Sequence, residues 1–181
     1  IAITVVLAPA RWLTNAIAQA SAERLQLSDT RGTVWQGSAR LVLTGGAGSA
    51  DALALPGRVS WRIRPQWDGA HIQLSADCCT PKPLELALSA PRQQPVQLTL
   101  TDHQSQWPAN LLAGLGTPWN TIRPQGQLAV STRGLGLYWA NQRVTLQGNL
   151  QLDATQMSTR LSTLVPMGSY RLILAGGETP S

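Results

Sequence analysis

The residues that could carry chemistry are few and lie far apart along the chain. Two histidines, His71 and His103, two cysteines, Cys78 and Cys79, and nine acidic residues are available for metal binding or acid–base work. A zinc site needs about four ligands, and these histidines and cysteines have no recognisable ligand spacing. No two acidic residues lie close enough on one predicted face to form an acid–base couple. The sequence therefore predicts no metal site and no paired-carboxylate site.

One segment, Thr101-Asp102-His103-Gln104-Ser105, contains the residue types of a hydrolase triad. Triads are assembled across a fold, however, and three neighbours in one loop rarely reach the required geometry. A hydrogen-bonded turn histidine is the better interpretation of His103. The chain also lacks a Gly-x-Ser-x-Gly nucleophile elbow and a phosphate-binding glycine loop. We therefore expect no catalytic residue, no cofactor and no enzymatic activity.

Cys78 and Cys79 are adjacent, and the chain has no other cysteine. In an oxidising compartment the pair could form a vicinal disulfide. That bond would force a turn, because adjacent residues in a strand point to opposite faces. Pro81 and Pro83 follow at once, which fits a chain that is already turning. A vicinal disulfide and two reduced thiols remain alternatives, with intermolecular pairing as a third.

Arginine supplies nearly all of the positive charge behind the net charge of +5. Such an excess could bind the phosphates of nucleic acid or of lipid headgroups, but most of the arginines are scattered. Arg58, Arg62 and Arg64 share one strand face and form the candidate interaction surface, with a merely solvated strand face as the alternative. Trp61 points to the opposite face, so no stacking platform for nucleic acid is formed. We expect no nucleic-acid partner.

The elements that must position these residues are mostly short strands. Nine stretches alternate apolar and polar residues, a pattern typical of an antiparallel sheet with one buried and one wet face. They lie near residues 31–44, 58–64, 71–77, 84–90, 95–101, 126–132, 135–140, 143–152 and 169–175. The sequence predicts an all-β, mainly antiparallel fold: a curled sheet, a β roll or a two-layer sandwich.

Helices and tryptophans complete the predicted domain. Apolar spacing of three and four predicts an N-terminal amphipathic helix over 9–25 and a short helix over 155–164. A proline near the start and a glycine at the end predict another short helix over 107–116. Trp35, Trp61 and Trp139 fall on apolar strand faces, so we expect them in the core. Three such bulky side chains would fill a small sheet's interior and leave no open groove for a lipid.

The first eight residues, Ile1 to Ala8, are apolar and uncharged. As a helix they would span about 12 Å, whereas a membrane crossing needs roughly 20 residues. We interpret residues 1–8 as the outer end of a membrane anchor, with a buried first strand as the alternative. Residues 9–181 then form a single β-rich domain outside the cytoplasm.

Five pieces of sequence, in order along most of the chain, carry a resemblance to a known family. They are Gly32-Thr33-Val34-Trp35-Gln36-Gly37, Leu55-Pro56-Gly57-Arg58-Val59-Ser60-Trp61, Cys78-Cys79, Gly114-Leu115-Gly116-Thr117-Pro118-Trp119 and Gly168-Ser169-Tyr170-Arg171-Leu172. With these pieces the chain resembles the type II secretion system protein N family, also called general secretion pathway protein N.

The resemblance implies a non-catalytic inner-membrane protein with one N-terminal anchor and a periplasmic β-rich domain. It would be an accessory part of the machine that exports folded proteins across the outer membrane, a scaffold whose partners are inner-membrane or secretin subunits of that machine. The strands are also similar in style to AsmA-like periplasmic proteins, whose curled sheets form lipid-binding grooves. A lipid-binding or lipid-transport domain is therefore the alternative function.

Overall fold

The computed structural model describes residues 8–92, 95–140, 143–163 and 166–176. These residues form one open, curled and mostly antiparallel sheet with a few short helices. The expected all-β fold is therefore confirmed, in its single-sheet form.

Eleven strands make up the sheet within the described residues. In chain order they are β1 (Leu25–Gly32), β2 (Gln36–Thr44), β3 (Ala52–Ala54), β4 (Val59–Gln66), β5 (Gly69–Ala76), β6 (Leu84–Ser89), β7 (Val96–Leu100), β8 (His103–Pro108), β9 (Gln125–Ala140), β10 (Arg143–Ser158) and β11 (Gly168–Gly176). Neighbours follow the path β1-β2-β4-β5-β6-β7-β9-β10-β11, with β3 paired to β2 and β8 paired to β9. The sheet is thus built almost entirely from strands that are close in sequence.

Two of the three predicted helical regions are helical in the structure. Helix α1 spans Arg11–Ala20, and a 3₁₀ helix spans Ala109–Leu115, followed by the single turn α2 (Trp119–Ile122). The helix predicted over 155–164 is wrong, because β10 continues to Ser158 between two pairing partners, β9 and β11. Leu164, which supported that helix, lies outside the described residues.

The alternation of side chains gives the sheet an apolar face and a polar face. On the apolar face, one row of paired residues crosses five strands: Ile63, Ile72, Leu86, Leu100 and Leu135. On the polar face, a parallel row consists of Gln36, Arg62, Gln73 and Glu85. Because successive side chains of a strand point to opposite faces, this register places the apolar row on one face of the sheet and the polar row on the other.

Among the described residues, the buried apolar side chains form two small clusters near the first strands and the 3₁₀ helix. Leu55, Ala76, Cys79 and Leu111 form one beneath the 3₁₀ helix, and Ala10, Ala39 and Trp61 form the other beside α1. The expected three-tryptophan core is right for Trp61, which is buried. It is wrong for Trp139, which is 40% exposed, whereas Trp35 is half-buried. Trp139 lies near the end of β9 beside Val96 and Val144, which are exposed as well, so these neighbours give it little cover.

A bulge divides the long strand β9 into two halves. The register of β9 with β10 shifts between Gln147 and Asn149, so that Gly148 lies opposite two residues, Gly134 and Leu135. The first half of β9 pairs with β8 and the second half pairs with β7. Residues 126–132 and 135–140, predicted as separate strands, are therefore the two halves of one bent strand.

Candidate functional site

The hydrolase-like residues of segment 101–105 make their hydrogen bonds to other groups. His103 begins β8 and is buried, and its Nε2 atom has no hydrogen-bond partner among the described residues. The expectation of a hydrogen-bonded turn histidine is therefore wrong, and burial lowers the pKa of this imidazole. Asp102 accepts a hydrogen bond from the Gly134 N–H at 2.7 Å. Ser105 Oγ accepts one from Trp107 Nε1 at 2.9 Å, so this segment forms no triad.

Potential metal ligands are also dispersed. Within the part of the chain that the structure describes, no group of three His, Cys, Asp or Glu residues could hold an ion. His71 lies near the start of β5 on the polar face, opposite Arg64 of β4, whereas the cysteine pair follows the other end of that strand.

Arg58 bonds to its own domain. Its guanidinium donates hydrogen bonds to Asp29 Oδ2 and to the Asp29 carbonyl oxygen, both at 2.6 Å. It also donates to the hydroxyl and carbonyl oxygens of Ser38, both at 3.1 Å. The hydrogen bond from Arg58 lowers the pKa of the Asp29 carboxyl. Arg58 therefore joins β1, β2 and the start of β4, and little of it remains for a partner.

Arg62 and Arg64 are exposed on the polar face of β4. Arg62 lies between Gln36 of β2 and Gln73 of β5, and Arg64 lies opposite His71. The three arginines that share this face therefore differ: Arg58 bonds within the domain, whereas Arg62 and Arg64 are exposed. An interaction through Arg62 and Arg64 stays a prediction.

Cys78 and Cys79 are joined by a vicinal disulfide in the turn that follows β5. Cys79 is buried in the cluster with Leu55, whereas Cys78 is exposed. The Cys79 carbonyl accepts a hydrogen bond from the Gln106 N–H of β8 at 2.9 Å. Because β5 and β8 are not neighbours in the sheet path, this turn connects two otherwise separate parts of the sheet.

The strands at the two ends of the sheet path, β1 and β11, differ in their protection. In β1 the register breaks between Ser28 and Arg31, and Asp29 in that break has a positive φ of 47°. Arg31 and Arg58 both form ion pairs with Asp29. Bulges and charges of this kind are how proteins prevent an edge strand from pairing with another chain.

Strand β11 has less of this protection, because the one register shift in its pairing with β10 lies at its start, between Gly168 and Tyr170. It pairs regularly with β10 from Ala154 to Gly148, and the described residues place no strand on its outer side. Its apolar side chains are 47–59% exposed and occupy both faces of the strand: Tyr170, Leu172, Ile173 and Leu174. Its one charged side chain, Arg171, donates a hydrogen bond to Asp153 of β10, so it is engaged within the sheet.

Most of the apolar face also lies open beyond β5. Leu88, Leu98, Leu137 and Leu146 form a row across β6, β7, β9 and β10, and none of the four is buried. The described helices make their main contacts elsewhere. Sequence alternation correctly indicated an apolar face, but it did not reveal that so little of this face is covered.

Comparison with known protein families identifies the family of this chain. The family model for type II secretion system protein N matches residues 23–179. The chain belongs to this family. No curated protein and no solved structure matched the chain in the two further comparisons. The protein is therefore a component of the type II secretion system, as the resemblance implied.

The structure contains, over the residues it describes, no helix that is long and apolar enough to cross a membrane. Of the predicted anchor, residues 1–8, only Ala8 lies within the described residues.

Proposed function

We propose that this secretion component is a non-catalytic scaffold, anchored in the inner membrane and folded in the periplasm, that binds other secretion subunits through β11. The family assignment supports the secretion role. The observation that carries the scaffold role is the contrast between the two edges of the sheet. Strand β1 has a bulge and paired charges in its middle, whereas β11 presents exposed apolar side chains on a strand that pairs regularly from Tyr170 to Gly176.

An added partner strand would gain affinity from two sources. The backbone N–H and C=O groups on the outer side of β11 supply ladder hydrogen bonds, and the side chains on its faces supply apolar contact. Ile173 on one face and Leu172 and Leu174 on the other would lose their exposure on pairing. A strand with this composition fits a partner that contributes an extended, apolar segment.

The scaffold role is tested by the variant Ile173→Lys. A lysine on an edge strand disfavours addition of a further strand, so we expect binding to weaken by about tenfold or more. Binding is measured between the purified chain and purified periplasmic domains of the inner-membrane and secretin subunits. Leu161→Lys is the matched control, because Leu161 is 70% exposed and lies beyond β10. Equal binding by the parent and both variants would contradict the role of β11.

The anchor is tested separately, by fractionation of the full-length protein. We expect it with the inner membrane, and we expect protease to reach the domain only from the periplasmic side. Recovery of full-length protein as soluble cytoplasmic material would refute the anchor.

A lipid-binding role is the second candidate, favoured by the open Leu88–Leu146 row. If acyl chains cover this row, native mass spectrometry of the purified protein will show bound phospholipid, and Leu137→Gln will remove most of it. Leu161→Gln is the control at an exposed site away from the sheet. Bound phospholipid, no secretion partner and unimpaired export in a deletion strain would favour this role over the scaffold.

A further inference from the structure

The register of the sheet fixes which strand ends lie side by side at one rim. Gly69 of β5 pairs with Ser89 of β6, Ser89 pairs with Gln97 of β7, and Gln97 pairs with Tyr138 of β9. The connections β4–β5, β6–β7 and β9–β10 therefore lie at the same rim. We call it the hairpin rim, and its described residues are 64–69, 89–92, 95–97, 138–140 and 143–144.

Large apolar side chains are exposed on the hairpin rim. Trp67, in the turn between β4 and β5, is 107% exposed. Val96, Trp139 and Val144 are in register across β7, β9 and β10, and they are 37%, 40% and 58% exposed. A tryptophan ring combines a large apolar area with an N–H group that needs a polar partner, so it is favoured where hydrocarbon meets water.

The hairpin rim also carries an excess of positive charge. Arg64, Arg92 and Arg143 are exposed there, and among the described rim residues one carboxylate, Asp68, opposes them. At the opposite rim, the β5–β6 turn of residues 77–82 carries one charge of each sign. The β5–β6 turn has no such excess, and the positive charge of the hairpin rim matches an anionic surface.

A backbone hydrogen bond positions the first described residue, Ala8. The Ala8 carbonyl accepts a hydrogen bond at 2.9 Å from the N–H of Val34, which lies in the turn between β1 and β2. The Trp35 carbonyl accepts one from the Ile63 N–H at 2.6 Å, so this turn lies toward the rim end of β4. Ala8 therefore lies toward the end of the sheet that carries the exposed tryptophans and arginines.

We propose that the hairpin rim docks on an anionic lipid surface, with Trp67 and Trp139 at the hydrocarbon boundary and Arg64, Arg92 and Arg143 at the headgroups. This inference rests on the proposed membrane anchor, which would hold the rim at the bilayer. The docked rim leaves the opposite rim and the β11 edge directed toward other components. The tryptophans supply affinity that does not depend on lipid charge, and the arginines supply the preference for anionic lipid.

Flotation of the 181-residue chain with lipid vesicles tests the proposal. The vesicles contain phosphatidylcholine alone or phosphatidylcholine with phosphatidylglycerol, and each is tested at low and high salt. Arg64→Gln/Arg92→Gln/Arg143→Gln is expected to lower the partition into the anionic vesicles by about tenfold or more, because each arginine contributes at the surface. High salt should reduce the parent's preference in the same way.

The control for charge is Arg24→Gln/Arg123→Gln/Arg160→Gln, which removes three exposed arginines outside the hairpin rim. We expect it to retain the parent's preference for anionic vesicles. Trp67→Ala is expected to weaken the partition into both vesicle types by about threefold to tenfold. Trp119→Ala, at a residue that is 38% exposed on α2, is its control. Thermal melts show whether each variant retains the parent's fold.

The outcomes separate the rim from the proposed function. Flotation of the parent with no preference for anionic vesicles, or equal loss in the two triple variants, would overturn the rim proposal and leave the anchor intact. Arginine-dependent binding to anionic vesicles, without binding to neutral ones, would support the role of the rim arginines and count against both the anchor and the tryptophan contribution. Loss of subunit binding in Ile173→Lys together with unchanged flotation would show that β11 and the rim act independently.

Discussion

At the residue scale, Arg58 links three strands through four hydrogen bonds to Asp29 and Ser38. Arg58→Met removes these bonds and keeps much of the apolar stem. We expect Tm to fall by about 3–6 °C, measured by circular dichroism. Arg62→Met is the control, because Arg62 is an exposed arginine on the same face. Equal changes in Tm for the two variants would show that the hydrogen bonds of Arg58 add nothing to stability.

His103 makes a prediction about pH. Burial lowers its pKa in the folded protein, so the unfolded state binds the proton more readily. The free energy of unfolding should therefore decrease as pH falls below the unfolded value of about 6.5. The pKa values of Asp29 and Asp153 are also lowered, and these carboxyls affect the free energy of unfolding in a separate, more acidic pH range.

The test replaces His103 with glutamine and measures urea unfolding at neutral and mildly acidic pH. We expect His103→Gln to lose much of the decrease in stability on acidification. His71→Gln, at the other histidine, should retain it. A parent-like pH dependence in His103→Gln would contradict the prediction.

The cysteine pair makes a chemical prediction. Non-reducing mass spectrometry of the purified protein should show the loss of two hydrogen atoms within the peptide that contains Cys78 and Cys79. Because so small a ring restricts the unfolded chain little, Cys78→Ser/Cys79→Ser should change Tm only slightly. Two freely alkylated thiols would rule the bond out.

At the scale of elements, the β9–β10 bulge depends on Gly148. Its φ is +84°, and a Cβ there would lie 2.6 Å from the Arg133 carbonyl oxygen and closer still to that of Gly134. Gly148→Ala should therefore lower the free energy of unfolding by about 2–4 kcal/mol, measured in urea. Gly134→Ala is the control, because its φ is also positive but nothing lies within 4 Å, so we expect a cost of about 1 kcal/mol. Similar losses of unfolding free energy in both variants would show that the cost comes from the positive φ alone and not from the close carbonyl oxygens.

The alternation of apolar and polar residues predicted the strands that flank a clear turn, such as β6 and β7. It missed β8, whose sequence begins His103-Gln104-Ser105-Gln106 and has little apolar character. This strand forms because β9 offers it a backbone edge, which is a tertiary effect. The predicted strand at 31–44 was too long, because a turn at residues 33–35 separates β1 from β2.

In the candidate sites too, the sequence predicted local features but not those that depend on tertiary structure. The sequence correctly indicated the turn at Cys78 and Cys79, since two prolines follow it. It could not show that Arg58 would meet Asp29, which lies twenty-nine residues earlier on another strand. Nor could the run Leu172-Ile173-Leu174 show which side of its strand stays unpaired, because edge position follows from topology rather than from composition.

At the scale of the whole molecule, the buried clusters lie near β2, β4 and β5, and the far strands have no comparable core among the described residues. Stability should therefore decrease along the sheet. We expect hydrogen exchange, followed by mass spectrometry, to be slowest in β4 and β5 and much faster in β11. Protection of β11 equal to that of β4 would contradict this gradient.

The order of strands in the sheet has a consequence for how the chain assembles. Apart from β3 and β8, each strand pairs with the strand that precedes it along the path, and this path follows the chain from its N-terminal to its C-terminal side. A chain that is delivered from its N-terminal end can therefore add each new strand to an edge that already exists. Folding in this way closes short loops one after another, which lowers the entropic barrier for a sheet of this size.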